Sequence, residues 1–283
     1  MDQNDVLELR GGLQGGKNFY KLLFTIIKYD LLYQPEEFDL KIYWDPKHVS
    51  IHTHFEDTEP WQKILEFLIH HLNINANKIN ISHHIGDPYP NDEHYLTRNF
   101  WPYNQGERFL SEVKTMRIFR ESRLQTQKNK VCFWRYNKDL LCKPKNLDAD
   151  ILGKSLAYSP EEWSTLFDFL KTKYNLIELE YRTPIREVFY HLTTCEFVVA
   201  NGGMWHNLAT SLGKPMISII NTLQANSSVL NLNDPTNKTT YNEVTLNRAH
   251  PNEYVCHPTI EQITDDIYFE VLLKQANSMK RNF

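Results

Sequence analysis

From Glu196 to Ile220 the chain reads EFVVANGGMWHNLATSLGKPMISII, and two kinds of pattern alternate within it. Phe197–Val198–Val199–Ala200 is a short apolar, β-branched run of the kind that forms a strand buried on both faces of a parallel sheet. It stops at Asn201-Gly202-Gly203, where two glycines let the backbone turn sharply and bring its N–H groups close to a ligand. Met204 to Leu212 then has helical composition, with Gly213 in the C-terminal capping position and Pro215 beyond it. Met216 to Ile220 supplies the next strand. The unit is strand, glycine turn, helix, parallel strand, and the helix N-terminus it creates suits a phosphate.

Working outward, the same alternation recurs on both sides. Toward the C-terminus a polar, Asn-rich stretch, 221–247, leads to a last helix from Thr259 to about Ala276, with Ile260, Ile263, Ile267 and Leu272 as its partly buried face. Toward the N-terminus, Thr183 caps a helix opened by Pro184, and Leu176 to Glu180 is a strand. Ser159-Pro160-Glu161-Glu162 carries a serine cap, a first-turn proline and a glutamate three residues on, a capping box that starts a helix to about Lys173. Lys130 to Trp134 is the strand that opens this half. The polar break Gln125 to Asn129 precedes it, and the domain boundary falls there: 1–127, then 128–258, with 259–283 as a C-terminal helix able to pack back on the first domain.

The first half repeats the pattern. Val6 to Arg10 reads as a strand, and it runs into Gly11-Gly12-Leu13-Gln14-Gly15-Gly16, which holds four of the chain's 10 glycines, before a helix from Asn18 to about Leu32. The spacing is neither a dinucleotide fingerprint nor a P-loop, so Gly12, Gln14, Gly15 and Gly16 form either a structural turn or a cleft loop open to a ligand. Phe38 to Trp44 alternates as a second strand, Trp61 to Leu72 is an amphipathic helix, and Lys78 to Ser82 is a third strand. His83-His84-Ile85-Gly86-Asp87-Pro88 follows. Loops beyond the carboxyl ends of parallel strands border the ligand crevice, which makes Asp87, and after it His84, the candidates for an acid/base group; a plain surface turn is the alternative. Residues 89–111 are rich in aromatics that could stack on a sugar or base or on one another, and Phe109 to Leu124 is expected to be a helix.

Composition bounds the rest. A chain of 283 residues, 41% hydrophobic, can bury one large core or two ordinary ones. A net charge of −4 provides no bulk attraction to nucleic acid or anionic membrane. No apolar run approaches the ~20 residues that span a bilayer, and the first fifteen residues, with Asp2, Asp5, Glu8 and Arg10, do not resemble a secretory signal. A cytoplasmic protein is the expectation. The four cysteines, Cys132, Cys142, Cys195 and Cys256, contain no C-x-x-C pair and are expected to be buried, reduced thiols. The sequons at Asn226 and Asn237 then carry no meaning. His48, His52 and His54 lack the spacing of a structural zinc site, and Asp148-Ala149-Asp150 follows no apolar strand that would present it to a metal, so no metal is expected. Arg135 and Lys138, directly after the strand at Lys130, are the cations best placed for a diphosphate, with solvated surface charge as the alternative.

The second half, ending in EFVVANGGMWHNLATSLGKPMISI, resembles the donor domain of GT-B-fold glycosyltransferases, especially the heptosyltransferase-like group, whose strand–turn–helix runs roughly D-S-G-P-x-H-L-A-A-A-L-G-x-P. The motif covers about twenty residues. Here the aspartate position reads Asn201 or Gly202, and aligning on Leu212-Gly213-Lys214-Pro215 leaves both His206 and Asn207 open as the histidine equivalent. The resemblance implies an α/β chain of two Rossmann-like domains facing a central cleft. It implies that the backbone of Gly202, Gly203 and Met204 holds the diphosphate of a nucleotide-sugar, which serves as donor substrate without a cofactor. It also implies a metal-independent sugar transfer to an acceptor hydroxyl, the acceptor being a glycan or a small saccharide. The Asn-, Lys- and Ile-rich, AT-type composition suggests a virus, acting in the host cytoplasm. It raises the alternative of a phage enzyme that modifies DNA at hydroxymethylated bases, with Lys114, Arg117, Arg120, Arg123, Lys128 and Lys130 as a cationic run that could provide the basic groove DNA needs, a solvated helix face being the alternative. A nucleotide-sugar epimerase and a non-catalytic nucleotide-sugar binder share the fold and remain open.

Overall fold

A computed structural model of the chain describes residues 6–11, 16–44, 61–86, 118–135, 158–180, 182–201, 204–219, 253–256 and 258–278. It is an α/β structure whose described residues form eight strands and seven α-helices, with every strand pairing parallel. The chain divides into two compact units, 1–121 with 182–187 and 122–181 with 188–283.

The first unit contains β1 (Val6–Gly11), α1 (Gly16–Tyr33), β2 (Phe38–Trp44), α2 (Trp61–His70) and β3 (Ile79–Ile85), with the strands in the order β1-β2-β3. Alternation along β2 buries Phe38, Leu40, Ile42 and Trp44 and leaves Asp39, Lys41 and Tyr43 half-buried, as a period of two requires of a sheet with one wholly apolar face. Phe24, Ile26, Ile27 and Tyr29 of helix α1 are buried, and Tyr29 meets Phe38 of that face at 5.0 Å between ring centroids. Two expectations are corrected here. Strand β3 runs on through His83, His84 and Ile85, because those residues pair with Ile42, Tyr43 and Trp44 of β2. Of the helix expected to end at Leu124, residues 118–124 are not helical: Phe119 bridges Leu72, the Asn73 N–H donates to the Ile118 carbonyl at 2.8 Å, and Arg120 turns its guanidinium onto the carbonyls of Leu72 and Ile74.

The second unit contains β4 (Lys130–Trp134), α3 (Pro160–Lys171), β5 (Asn175–Glu178), α4 (Ile185–Thr194) from Val188 on, β6 (Phe197–Ala200), α5 (Met204–Ser211), β7 (Met216–Ile219), β8 (Glu253–Cys256), α6 (Ile260–Ile263) and α7 (Asp266–Ser278), with its five strands in the order β5-β4-β6-β7-β8. Every residue of β4, β6 and β7 is buried, which is why those strands read as mainly apolar runs, with Lys130 and Ser218 their buried polar members. The α3 capping box forms as expected, Ser159 Oγ accepting from the Glu162 N–H at 3.2 Å and Glu162 Oε2 from the Ser159 N–H at 2.7 Å. Gly213 closes α5 at φ +70°, a left-handed conformation that a side chain would strain.

Strand β8 was not foreseen, since Glu253-Tyr254-Val255-Cys256 lacks a clear apolar run and is ordered by pairing with β7. The C-terminal helices, left free by the sequence to pack on the first half, contribute Ile263, Phe269, Leu272 and Ala276 to the second unit's core beside Val131, Phe197 and Ile217. Two helices stand where one was expected. The chain breaks at Thr264–Asp265, Asp265 Oδ1 accepts from the Tyr268 N–H at 2.8 Å, and the restart rotates the apolar face so that Phe269 is buried and Ile267 is 78% exposed.

Candidate functional site

The carboxyl ends of β4 and β6 meet where the sequence put the phosphate turn. Trp134 pairs with Ala200 at the last rung of that ladder, and the Asn201 N–H donates to the Trp134 carbonyl at 3.0 Å, setting Asn201 beside the start of Arg135. Asn201 is only 5% exposed, and its Nδ2 is buried with no hydrogen-bond partner among the described residues. A buried amide donor left without an acceptor costs about 1–3 kcal/mol. Helix α5, with Met204 as its first residue, starts three residues on, and the first turn of a helix presents N–H groups that no carbonyl within the helix can accept.

Trp205 is buried, stands edge-on to Trp134 at 6.3 Å and donates its Nε1–H to the Glu180 carbonyl at 2.9 Å. His206, one of the two residues open as a donor contact, is 1% exposed and shares a 2.9 Å hydrogen bond between its Nε2 and the Oγ of buried Ser218 on β7. Its ring ties α5 to the sheet. Asn207 is the next residue of the helix.

Arg135 is not a free cation. Its Nε donates to Glu178 Oε1 at 2.6 Å and its Nη1 to Ser164 Oγ at 3.4 Å, and its guanidinium lies 5.8 Å from the Phe167 ring centroid. Glu178, at the end of β5, was not singled out in the sequence. Its register against Phe133, one residue before Trp134, is what brings it within reach of Arg135.

In the first unit, His84 lies in β3 and is exposed, its ring stacked on Tyr43 at 4.9 Å and its Nε2 3.0 Å from Ser82 Oγ. His83 points to the other face. Trp44 Nε1 can only donate, so the His83 Nδ1 that it meets at 3.0 Å is the acceptor, and the ring proton sits on Nε2, donated to Glu66 Oε1 at 2.8 Å. Both nitrogens of His83 are therefore engaged, and of the two histidines His84 is the exposed one. Gly86, at φ +100°, ends the strand, and its N–H donates to the Trp44 carbonyl.

Asp87, Lys138, Gly12, Gln14, Gly15, Gly202 and Gly203 lie outside the described residues, as do His48, His52, His54, Asp148 and Asp150; Gly16 is the first residue of α1. Among the described residues no group of three or more His, Cys, Asp or Glu side chains is arranged to hold a metal ion. No helix, among the same residues, is long and apolar enough to cross a membrane. Compared with protein-family models, with curated proteins and with solved structures, the chain matches none.

Proposed function

We propose that the chain is a glycosyltransferase of GT-B type that binds the diphosphate of a nucleotide-sugar at the carboxyl ends of β4 and β6 and passes the sugar to an acceptor hydroxyl without a metal. In this proposal the two units are the Rossmann-like acceptor and donor halves. The observation that carries it is the unpaired, buried Nδ2 of Asn201 at the mouth of a strand–turn–helix unit, beside a cation already oriented by Glu178. A departing diphosphate gathers negative charge, and donors fixed in advance around it lower the barrier by stabilising that charge as it develops. Asn201, the backbone from Gly202 to Met204 and Arg135 are the donors proposed. Asp87 takes the proton of the acceptor hydroxyl, with His84 next in line, a step worth ~10²–10⁴ in rate.

Hydroxymethylated DNA as the acceptor finds less support. Two members of the basic run it relied on are otherwise engaged, Arg120 by backbone carbonyls and Lys130, buried, by Thr194.

The test is a thermal-shift screen against UDP-, GDP-, ADP- and CMP-sugars and the matching nucleosides, since a ligand at 100 times its Kd adds ~2.7 kcal/mol. Stabilisation by one nucleotide-sugar, with sugar transfer or hydrolysis of that donor, supports the proposal. Stabilisation with neither reaction would make the chain a binder. Absence of stabilisation by all four would refute the diphosphate site.

A further inference from the structure

His83, in the first unit, is wired in a way that only its neutral form can satisfy. It pairs with Ile42 of β2, and its side chain is 19% exposed. Its Nδ1 accepts the indole N–H of Trp44, a residue 2% exposed, at 3.0 Å, and its Nε2–H goes to Glu66 Oε1 on α2 at 2.8 Å. Glu66 is the charged group that touches His83 among the described residues. Lys63 and His70, about one turn to either side of Glu66 on α2, are exposed. From β2 come Ile42 and Trp44, neither of which titrates, and no charged side chain of α1 reaches the ring among the described residues. His84, the neighbour on β3, stacks on Tyr43 instead.

Protonation upsets this arrangement. Histidine is the side chain that gains and loses a proton most readily near neutrality. An imidazolium has two N–H donors and no acceptor, so a proton gained at Nδ1 points straight at the Trp44 N–H. Glu66 keeps its bond in either state and holds the cation more strongly, since a charge-assisted hydrogen bond is the stronger one. The bond that gives way is therefore the one to Trp44. Trp44 also holds the end of β3 at a second point, where its carbonyl accepts the Gly86 N–H at 2.8 Å. Between the two points lie His84, which is exposed, and Ile85, which is 73% exposed, so neither anchors that end by burial.

We propose that His83 is a proton-operated clasp on the carboxyl end of β3. The clasp is closed while the ring is neutral. In acid, protonation sets the ring against the Trp44 N–H, and residues 84–86 loosen from β2. His84, a candidate base in the function proposed above, rides on this end, but the clasp does not rest on the sugar-transfer reading.

The test is a nuclear magnetic resonance titration of the full, ligand-free chain from about pH 8 to about pH 5. Of the chain's 6 tryptophans, Trp44 is identified by the indole signal lost in Trp44→Phe, or in the unsubstituted chain by a nuclear Overhauser contact with the His83 ring. That signal should move upfield in step with the His83 ring signals while the other indoles stay in place. The Gly86 amide should lose about 10-fold or more of its protection from hydrogen exchange, after correction for the intrinsic pH dependence of exchange. His83→Gln offers an acceptor and a donor without a charge, so in that variant neither change should occur. Should the variant fold poorly, the titration of the unsubstituted chain decides alone. A His83 ring that stays neutral to the acid end, Gly86 protection that survives its protonation, indoles that all move together, or changes that persist in His83→Gln would each overturn the proposal.

Discussion

Replacing Asn201 with alanine should leave the second unit as stable as before or more so, although it truncates a residue that is 5% exposed. The truncation removes three heavy atoms and opens a void on the order of 50 Å³, which at about 24 cal/mol per Å³ costs about 1.2 kcal/mol. Against this, the unpaired Nδ2 is removed from the interior, which returns about 1–3 kcal/mol. The net is between no change and about 2 kcal/mol of added stability, where a Leu→Ala change of the same size loses ~2–5 kcal/mol. Thermal melting followed by circular dichroism should therefore show an unchanged or higher Tm, since 1 kcal/mol moves Tm by ~2–4 °C in a chain of 150–250 residues. In the same samples the affinity for a nucleoside diphosphate should fall about 10- to 100-fold, the loss of a hydrogen bond to a charged group worth ~1.5–3 kcal/mol. A destabilisation of ~2 kcal/mol or more would refute the reasoning, because it would mean that the amide is paired in the ligand-free fold.

Further outcomes follow from the neighbouring contacts. Glu178→Gln removes the charge that holds Arg135 at 2.6 Å, so it should tighten binding of nucleoside diphosphates over free nucleosides in calorimetry, whereas Arg135→Ala should weaken the diphosphates selectively; equal effects on both ligands would remove Arg135 from the site. Asp87→Asn should spare nucleotide-sugar binding and lower turnover by ~10²-fold or more; if that variant is active and His84→Ala is not, the base is His84. Ser218→Ala leaves the buried His206 Nε2 without this partner and should cost ~1–3 kcal/mol in chemical denaturation without a selective loss of ligand; a selective loss with unchanged stability would return His206 to the donor site. Burial, and then the nearby Glu270, Glu196 and Asp266, raise the Tyr174 phenol above its ordinary value. The unfolded chain thus releases that proton first, stability should fall as pH rises through the usual tyrosine range near ~10, and Tyr174→Phe should flatten that part of the titration.

Strands β4, β6 and β7 and the helix between β6 and β7 were readable because burial on both faces writes itself as a mainly apolar run, and because Ser159-Pro160-Glu161-Glu162 and Gly213-Lys214-Pro215 mark helix ends chemically. The elements that were missed share a cause. Strand β8, the extension of β3 to Ile85 and the segment bridged at Phe119 are ordered by partners far away in the chain, and a window of local sequence contains no record of them. The break at Thr264–Asp265 shows the same limit on a smaller scale, since a two-residue interruption is invisible to periodicity yet turns Ile267 outward. At the candidate site, sequence located Asn201, Arg135 and the histidines by their position after strands. What each of them does depends on atoms a few ångströms away. Register brings Glu178 to Arg135, helix rotation sends His206 to Ser218 and away from solvent, and the parallel ladder buries Asn201 beside Trp134 with its amide unmatched. Residue type and spacing follow from local chemistry and are written along the chain. Hydrogen-bond partnership depends on three-dimensional distance, and only the packing of strands and helices decides it.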